Sequence, residues 1–110
     1  MNFSRVYIVT TVTQEHIEAI LNAIASVGGG VIGNYTHCAF THSGFGRFKA
    51  LEDANPIFGE KGQINQFDEW RIETFCERKV AKAVIAAIKS VHPYDQPVIY
   101  VLPLLDEADL

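Results

Sequence analysis

The feature that most constrains this chain is the way its hydrophobic period changes along the sequence. Residues 4 to 11, Ser-Arg-Val-Tyr-Ile-Val-Thr-Thr, are β-branched and aromatic and predict a first strand. Thr13 then offers a helix N-cap with Glu15 in the first turn. Ile17, Ile20, Leu21 and Ile24 follow at helical spacing and form one apolar stripe. Gly28-Gly29-Gly30 ends that helix. Residues 33 to 42 read as strand two, broken at Ser43-Gly44, with Phe45 to Ala50 returning as a short hairpin arm. Residues 51 to 65 are turn-rich and predict a surface excursion. Residues 67 to 76 alternate at Trp70, Ile72 and Thr74, the pattern of a half-buried strand. Val80, Val84, Ile88 and Val91 mark a second helix from about Arg78 to Val91, stopped by His92-Pro93. Val98 to Leu104 makes the last strand.

The order is βαββαβ, the split βαβ pattern of a ferredoxin-like α+β domain. Right-handed crossovers put both helices on one face of an antiparallel sheet and leave the other face open. The chain's 110 residues fit a single domain, with a core at about 4–104 and an acidic tail at 105–110. An open sheet face must be polar or covered. Period two aims Trp70 and Ile72 at the helices and Glu69, Arg71 and Glu73 at the open face. On strand two, Cys38 and Phe40 are the better core candidates, which leaves Tyr35, His37 and Thr41 outside. Opposite charges paired across such strands stabilise by roughly 0.2 to 1 kcal/mol.

Several function classes are excluded or disfavoured. A net charge of -4 with scattered basic residues argues against nucleic-acid binding. Arg78, Lys79, Lys82 and Lys89 group on the second helix and read as a solvated face. No apolar run approaches a membrane span or a signal-peptide core, so the expected location is cytoplasmic. Cys38 and Cys76 have no CxxC spacing and read as reduced thiols. Gly28-Gly29-Gly30-Val31-Ile32-Gly33 satisfies GxGxxG but closes a helix instead of opening one, so no pyrophosphate site results. There is no Walker A pattern and no GxSxG elbow, and no catalytic constellation is identifiable. His37, Cys38 and His42 form H-C-x3-H, a set that suits zinc or copper chemically. On a strand, however, His37 and Cys38 point to opposite faces. His92-Pro93-Tyr94-Asp95-Gln96-Pro97 is a stiff connector with a histidine at a helix C-terminus.

Several ordered segments together carry a family resemblance. They are Gly33-Asn34-Tyr35-Thr36-His37-Cys38-Ala39-Phe40, Gly44-Phe45-Gly46-Arg47-Phe48, Ala54-Asn55-Pro56 with Gly59 and Gly62, Glu69-Trp70-Arg71-Ile72-Glu73, and the 92–97 connector. The chain resembles the PII-like (CutA-like) domain inserted in the NGG-one-interacting-factor-three-like (YqfO-like) proteins, over about residues 5 to 104. The resemblance implies a PII-like or CutA-like fold that forms homotrimers. In longer members the domain sits within a metal-binding domain, of which this sequence holds none. The resemblance therefore implies a stand-alone regulatory module that is not an enzyme. Its expected partners are itself, a small molecule, or a separately encoded metal-binding domain. Tyr35, His37, Glu69, Arg71, Glu73, His92 and Tyr94 are the expected lining of an inter-subunit ligand cleft. The alternatives are a CutA-type divalent-metal site, copper or zinc, at His37, Cys38 and His92, and a small enzyme acting at the same cleft.

Overall fold

The computed structural model describes residues 2–110. Its strands are β1 (Arg5–Val12), β2 (Phe40–Lys49), β3 (Ile64–Glu77) and β4 (Ile99–Leu104), and its helices are α1 (Ile17–Ser26) and α2 (Ala81–Val91). The sheet order is β2-β3-β1-β4, and all three neighbouring pairs are antiparallel. This is the expected ferredoxin-like α+β arrangement.

The core follows from the two periods. Val6, Ile8 and Val12 of β1 and Ile72 and Cys76 of β3 share one sheet face. Against them lie Ile20 and Ile24 of α1 and Val84 and Ile88 of α2, all essentially inaccessible. Both helices therefore cover the same side. Thr10 and Thr74 are buried in the same layer and stay satisfied. The Thr10 hydroxyl donates to the Val98 carbonyl at 2.7 Å, and that of Thr74 to the Cys38 carbonyl at 2.7 Å. Burying a hydroxyl without such a partner is costly, so these two bonds fix where the chain enters and leaves the sheet. No helix among the described residues is long and apolar enough to cross a membrane.

α1 ends in a Schellman arrangement. The Gly29 amide reaches back to the Ile24 carbonyl at 3.0 Å and the Gly28 amide to that of Ala25 at 3.2 Å. Gly28 takes φ 89°, which a side chain would resist. The start of the helix differs from expectation. A 3-10 turn at Gln14–His16 precedes α1, and Thr13 does not cap it through its side chain. Its hydroxyl donates instead to the Glu15 carboxylate at 3.0 Å. Val80 lies in a second 3-10 turn before α2, and Val91 is exposed at the last turn.

The largest correction concerns strand two. It runs from Phe40 to Lys49, straight through Ser43-Gly44 and the segment expected as a hairpin arm. Residues 31–39 form a loop. Ile32 and Tyr35 exchange backbone hydrogen bonds of 2.9 and 2.8 Å around Gly33-Asn34, and His37 then adopts φ 61°. A left-handed residue cannot continue a strand. Tyr35 and His37 are thus exposed loop residues and do not lie on the sheet face.

The register inverts the expected parity. Phe40 pairs with Glu73 and His42 with Arg71, whereas Thr41 pairs with the buried Ile72. Paired residues share a face, so Phe40 and His42 stand on the open side and Thr41 faces the helices. Phe40, expected in the core, is 64% exposed. Cys38 is half-buried in the loop, and its carbonyl, not its thiol, makes the contact with Thr74. The acidic C-terminus is less free than a tail. Asp106 caps a final turn and pairs with Arg5 at 3.0 Å.

Candidate functional site

A cavity of about 250 Å³ opens where the far half of the β2–β3 hairpin meets the 92–97 connector. Three features of the sequence create it. Period two on β3 puts Phe67 and Glu69 on the open face together. Opposite Phe67 stands Gly46, where a Cβ would collide with the Glu69 carboxylate and lie 2.8 Å from the Phe67 ring. The 51–63 excursion then folds Phe58 over the hairpin. The ring centroids of Phe58 and Phe67 are 4.8 Å apart, those of Phe48 and Phe58 are 5.7 Å apart, and both pairs meet edge to face. Edge-to-face rings stabilise beyond simple burial.

The connector supplies the remaining wall. The Tyr94 hydroxyl donates to Glu69 Oε2 at 2.8 Å, and its ring meets that of Phe58 at 6.0 Å. Burial first, and then the Glu69 bond, push the Tyr94 hydroxyl well above its ordinary titration range, so it remains a donor. Asp95 Oδ2 accepts the Asn55 amide at 2.9 Å and ties the connector to the excursion. Behind Tyr94, His92 is buried. Its Nε2–H donates to the Thr11 carbonyl at 2.9 Å and its Nδ1 accepts the Tyr94 amide at 3.2 Å. These partners fix the tautomer. Burial holds the His92 ring below its ordinary pKa.

A second cluster occupies the middle of the open face. The Tyr7 hydroxyl donates to Glu73 Oε1 at 2.6 Å. His42 Nε2 lies 3.3 Å and Arg71 Nε 3.8 Å from Glu73 Oε2. The Tyr7 bond, more than the neighbouring Arg71 and His42, holds the Glu73 carboxyl below its ordinary pKa, and the same bond raises that of Tyr7.

The seven residues expected to line one cleft therefore occupy three places. Glu69 and Tyr94 come together as walls of the cavity, with His92 behind Tyr94. Arg71 and Glu73 lie farther along β3 with Tyr7 and His42. Tyr35 and His37 belong to the 31–39 loop, which is anchored at the Phe75 end of β3 through the Gly30 amide. Residues 69 and 75 are about 20 Å apart along a strand. Phe48, Phe58 and Phe67 were not among the residues expected at a site, whereas Asp95 belongs to the connector singled out in the sequence. The signal for Phe67 was its shared parity with Glu69. Phe58 had none, because it sits in an irregular segment.

The metal alternative does not assemble within one chain. Both His92 ring nitrogens are already used, and His37 Nδ1 lies 3.0 Å from the Thr36 hydroxyl. Among the described residues, no three of His, Cys, Asp and Glu converge on a point that could hold an ion.

With the fold and the cavity in place, the relationships of the chain can be read. Residues 48–109 match the family model described as CutA1 divalent ion tolerance protein. The chain belongs to the CutA1 family. That match begins at Phe48 and spans the excursion, β3, α2 and the connector, and so nearly every wall of the cavity. Among solved structures, a Bacillus cereus protein related to NIF3 superposes with TM-score 0.79 at 33% identity, over 94% of this chain and 26% of that one. Pyrococcus horikoshii CutA superposes with TM-score 0.67 at 20% identity, over 92% and 85%. At that identity the likeness is one of fold alone. Among curated relatives, a GTP cyclohydrolase 1 type 2 homolog from Bacillus subtilis is 40% identical over 93 residues, 84% of this chain and 25% of that protein. The Halalkalibacterium halodurans protein of the same name is 34% identical over 102 residues, 93% and 27%. This CutA1-family chain thus spans about a quarter of the length of the curated relatives it matches.

Proposed function

We propose that this chain is a regulatory, non-catalytic PII-like module of the cytoplasm that assembles as a homotrimer and binds a small ligand or partner. The open sheet face carries the proposal. Phe40, Tyr100 and Leu102 stand there 64%, 60% and 46% exposed, around the Tyr7–Glu73–His42–Arg71 cluster. Exposed apolar residues grouped on one sheet face favour a protein partner. A second and third copy would supply that cover, three being the number the family resemblance implies. Glu69 and Tyr94 would then line the ligand site, with His92 positioning Tyr94 from behind. Arg71 and Glu73 would lie at the subunit interface, with Tyr35 and His37 at its margin. The free thiols of Cys38 and Cys76 suit a reducing compartment. A separately encoded metal-binding domain, of the kind the family resemblance implies, is the proposed macromolecular partner.

Native mass spectrometry of protein purified without metal or chelator tests this. A trimer is expected, and Leu102→Glu should convert it to monomer by placing a charge in the buried face. A wild-type monomer at micromolar concentration would overturn the assembly. A trimer retaining copper or zinc that is lost in His37→Ala would transfer the case to the divalent-metal alternative.

A further inference from the structure

We propose that the cavity at the hairpin–connector junction is selective for a small organic cation, an ammonium or amidinium group on a flat apolar body. This rests on the reading of the chain as a small-ligand binder and is independent of the trimer.

Shape, wall chemistry and charge converge on that class. The cavity, about 250 Å³, falls below the range of roughly 300–1,000 Å³ usual for drug-sized ligands, so its occupant is fragment-sized. Phe48, Phe58, Phe67 and Tyr94 give it aromatic walls. Such walls accept flat rings by edge or face, and their faces attract cations. Two carboxylates, Glu69 and Asp95, also line it, against one guanidinium, Arg47. Among the described residues neither carboxylate has a lysine, arginine or histidine partner at ion-pair distance. Glu69 is half-buried, and Tyr94 donates to its Oε2 alone. Its Oε1 packs beside Gly46, where no side chain would fit, and accepts no hydrogen bond among the described residues. A half-buried carboxylate beside apolar rings, with a free oxygen and no counter-ion, is complementary to a donor that carries positive charge. Arg47 and Asp95 are both exposed, so solvent screens that pair of opposite charges more than it screens Glu69, which is left as the dominant charge.

Three probes of one shape separate charge from shape: tryptamine, the neutral alcohol tryptophol, and the anion indole-3-propionate. Calorimetric titration of the intact protein should rank them in that order, with tryptamine about tenfold tighter than tryptophol. Glu69→Gln keeps an acceptor for Tyr94. It should bring tryptamine and tryptophol to within about twofold, because only the charge is removed. Phe67→Ala should weaken both. Equal affinity of the three probes for the wild type would overturn the proposal, as would tightest binding of the propionate, which would assign selectivity to Arg47. Absence of binding by any probe would also overturn it. Native mass spectra of the same samples report the trimer separately, so loss of the assembly is distinguishable from loss of cation selectivity.

Discussion

His92 makes the residue-scale argument sharpest. It is a histidine at a helix end, where a protonated ring would meet favourable carbonyls. The fold uses it differently. The ring is buried, donates to the Thr11 carbonyl and accepts the Tyr94 amide, so the neutral form is the one that fits. Burial, helped by the His16 charge and opposed by the Thr11 bond, lowers its pKa from the ordinary 6.5. The consequence has a definite sign. Below about pH 6.5 the unfolded chain takes up the proton first, so stability falls as pH drops from there to the depressed folded value. Above that window the stabilisation is complete. Thermal melts at pH 7.5 and 5.5 should show the lower transition at 5.5. His92→Gln should flatten that difference while lowering stability at both pH values by about 1–3 kcal/mol. An unchanged pH slope in the variant would assign the titration elsewhere.

At the scale of elements, the glycine run after α1 is a test of close approach. Gly30 has φ 69°, donates to the Phe75 carbonyl at 2.8 Å, and a Cβ on it would lie 2.7 Å from the Cys38 carbonyl oxygen. Gly28 has a similar φ of 89° but open space around it. Both alanine substitutions incur the left-handed penalty of about 1–2 kcal/mol. Gly30→Ala should cost at least about 1 kcal/mol more by the clash. Urea unfolding of the two variants measures the difference, and equal losses would mean that the 31–39 loop moves aside freely. This same loop shows where sequence reading reached its limit. The helices and β1, β3 and β4 were legible because Ile17–Ile24, Val80–Ile88 and Trp70–Thr74 have long, clean periods. β2 was not. Its residues Ser43, Gly44 and Gly46 look like turn formers, and they stay extended because β3 pairs with them along their whole length. Residues 33 to 42 look like a strand, yet Gly33-Asn34 and His37 turn the chain, and pairing begins only at Phe40. With β2 displaced, its parity was lost, and the cavity residues that depend on the hairpin register were legible only as far as Glu69 and Tyr94.

For the whole molecule, the length of β3 sets the shape. From end to end its fourteen residues span about 43 Å at the usual rise, most of the protein's longest dimension of 47 Å. The helices cover only the half near Ile72, Thr74 and Cys76. The far half is held by the aromatic cluster and the excursion, with Phe45 and Ile64 exposed. Regions with fewer buried apolar contacts open at lower free energy. Hydrogen exchange of the unliganded protein should therefore find the Ile8, Val9 and Thr10 amides slowest and those of Arg47 to Lys49 and Ile64 to Phe67 markedly faster. Equal protection throughout would mean that the hairpin and core open as one unit. The topology has a consequence in time as well. β1 is a central strand, and its two neighbours, β3 and β4, lie some sixty to a hundred residues later in the chain. Pairings so distant in sequence are slow to form. On the ribosome, Val6, Ile8 and Val12 emerge well before either neighbour exists. The nascent chain must hold this deeply buried strand unpaired until β3 is complete at Glu77, and without its second neighbour until Leu104.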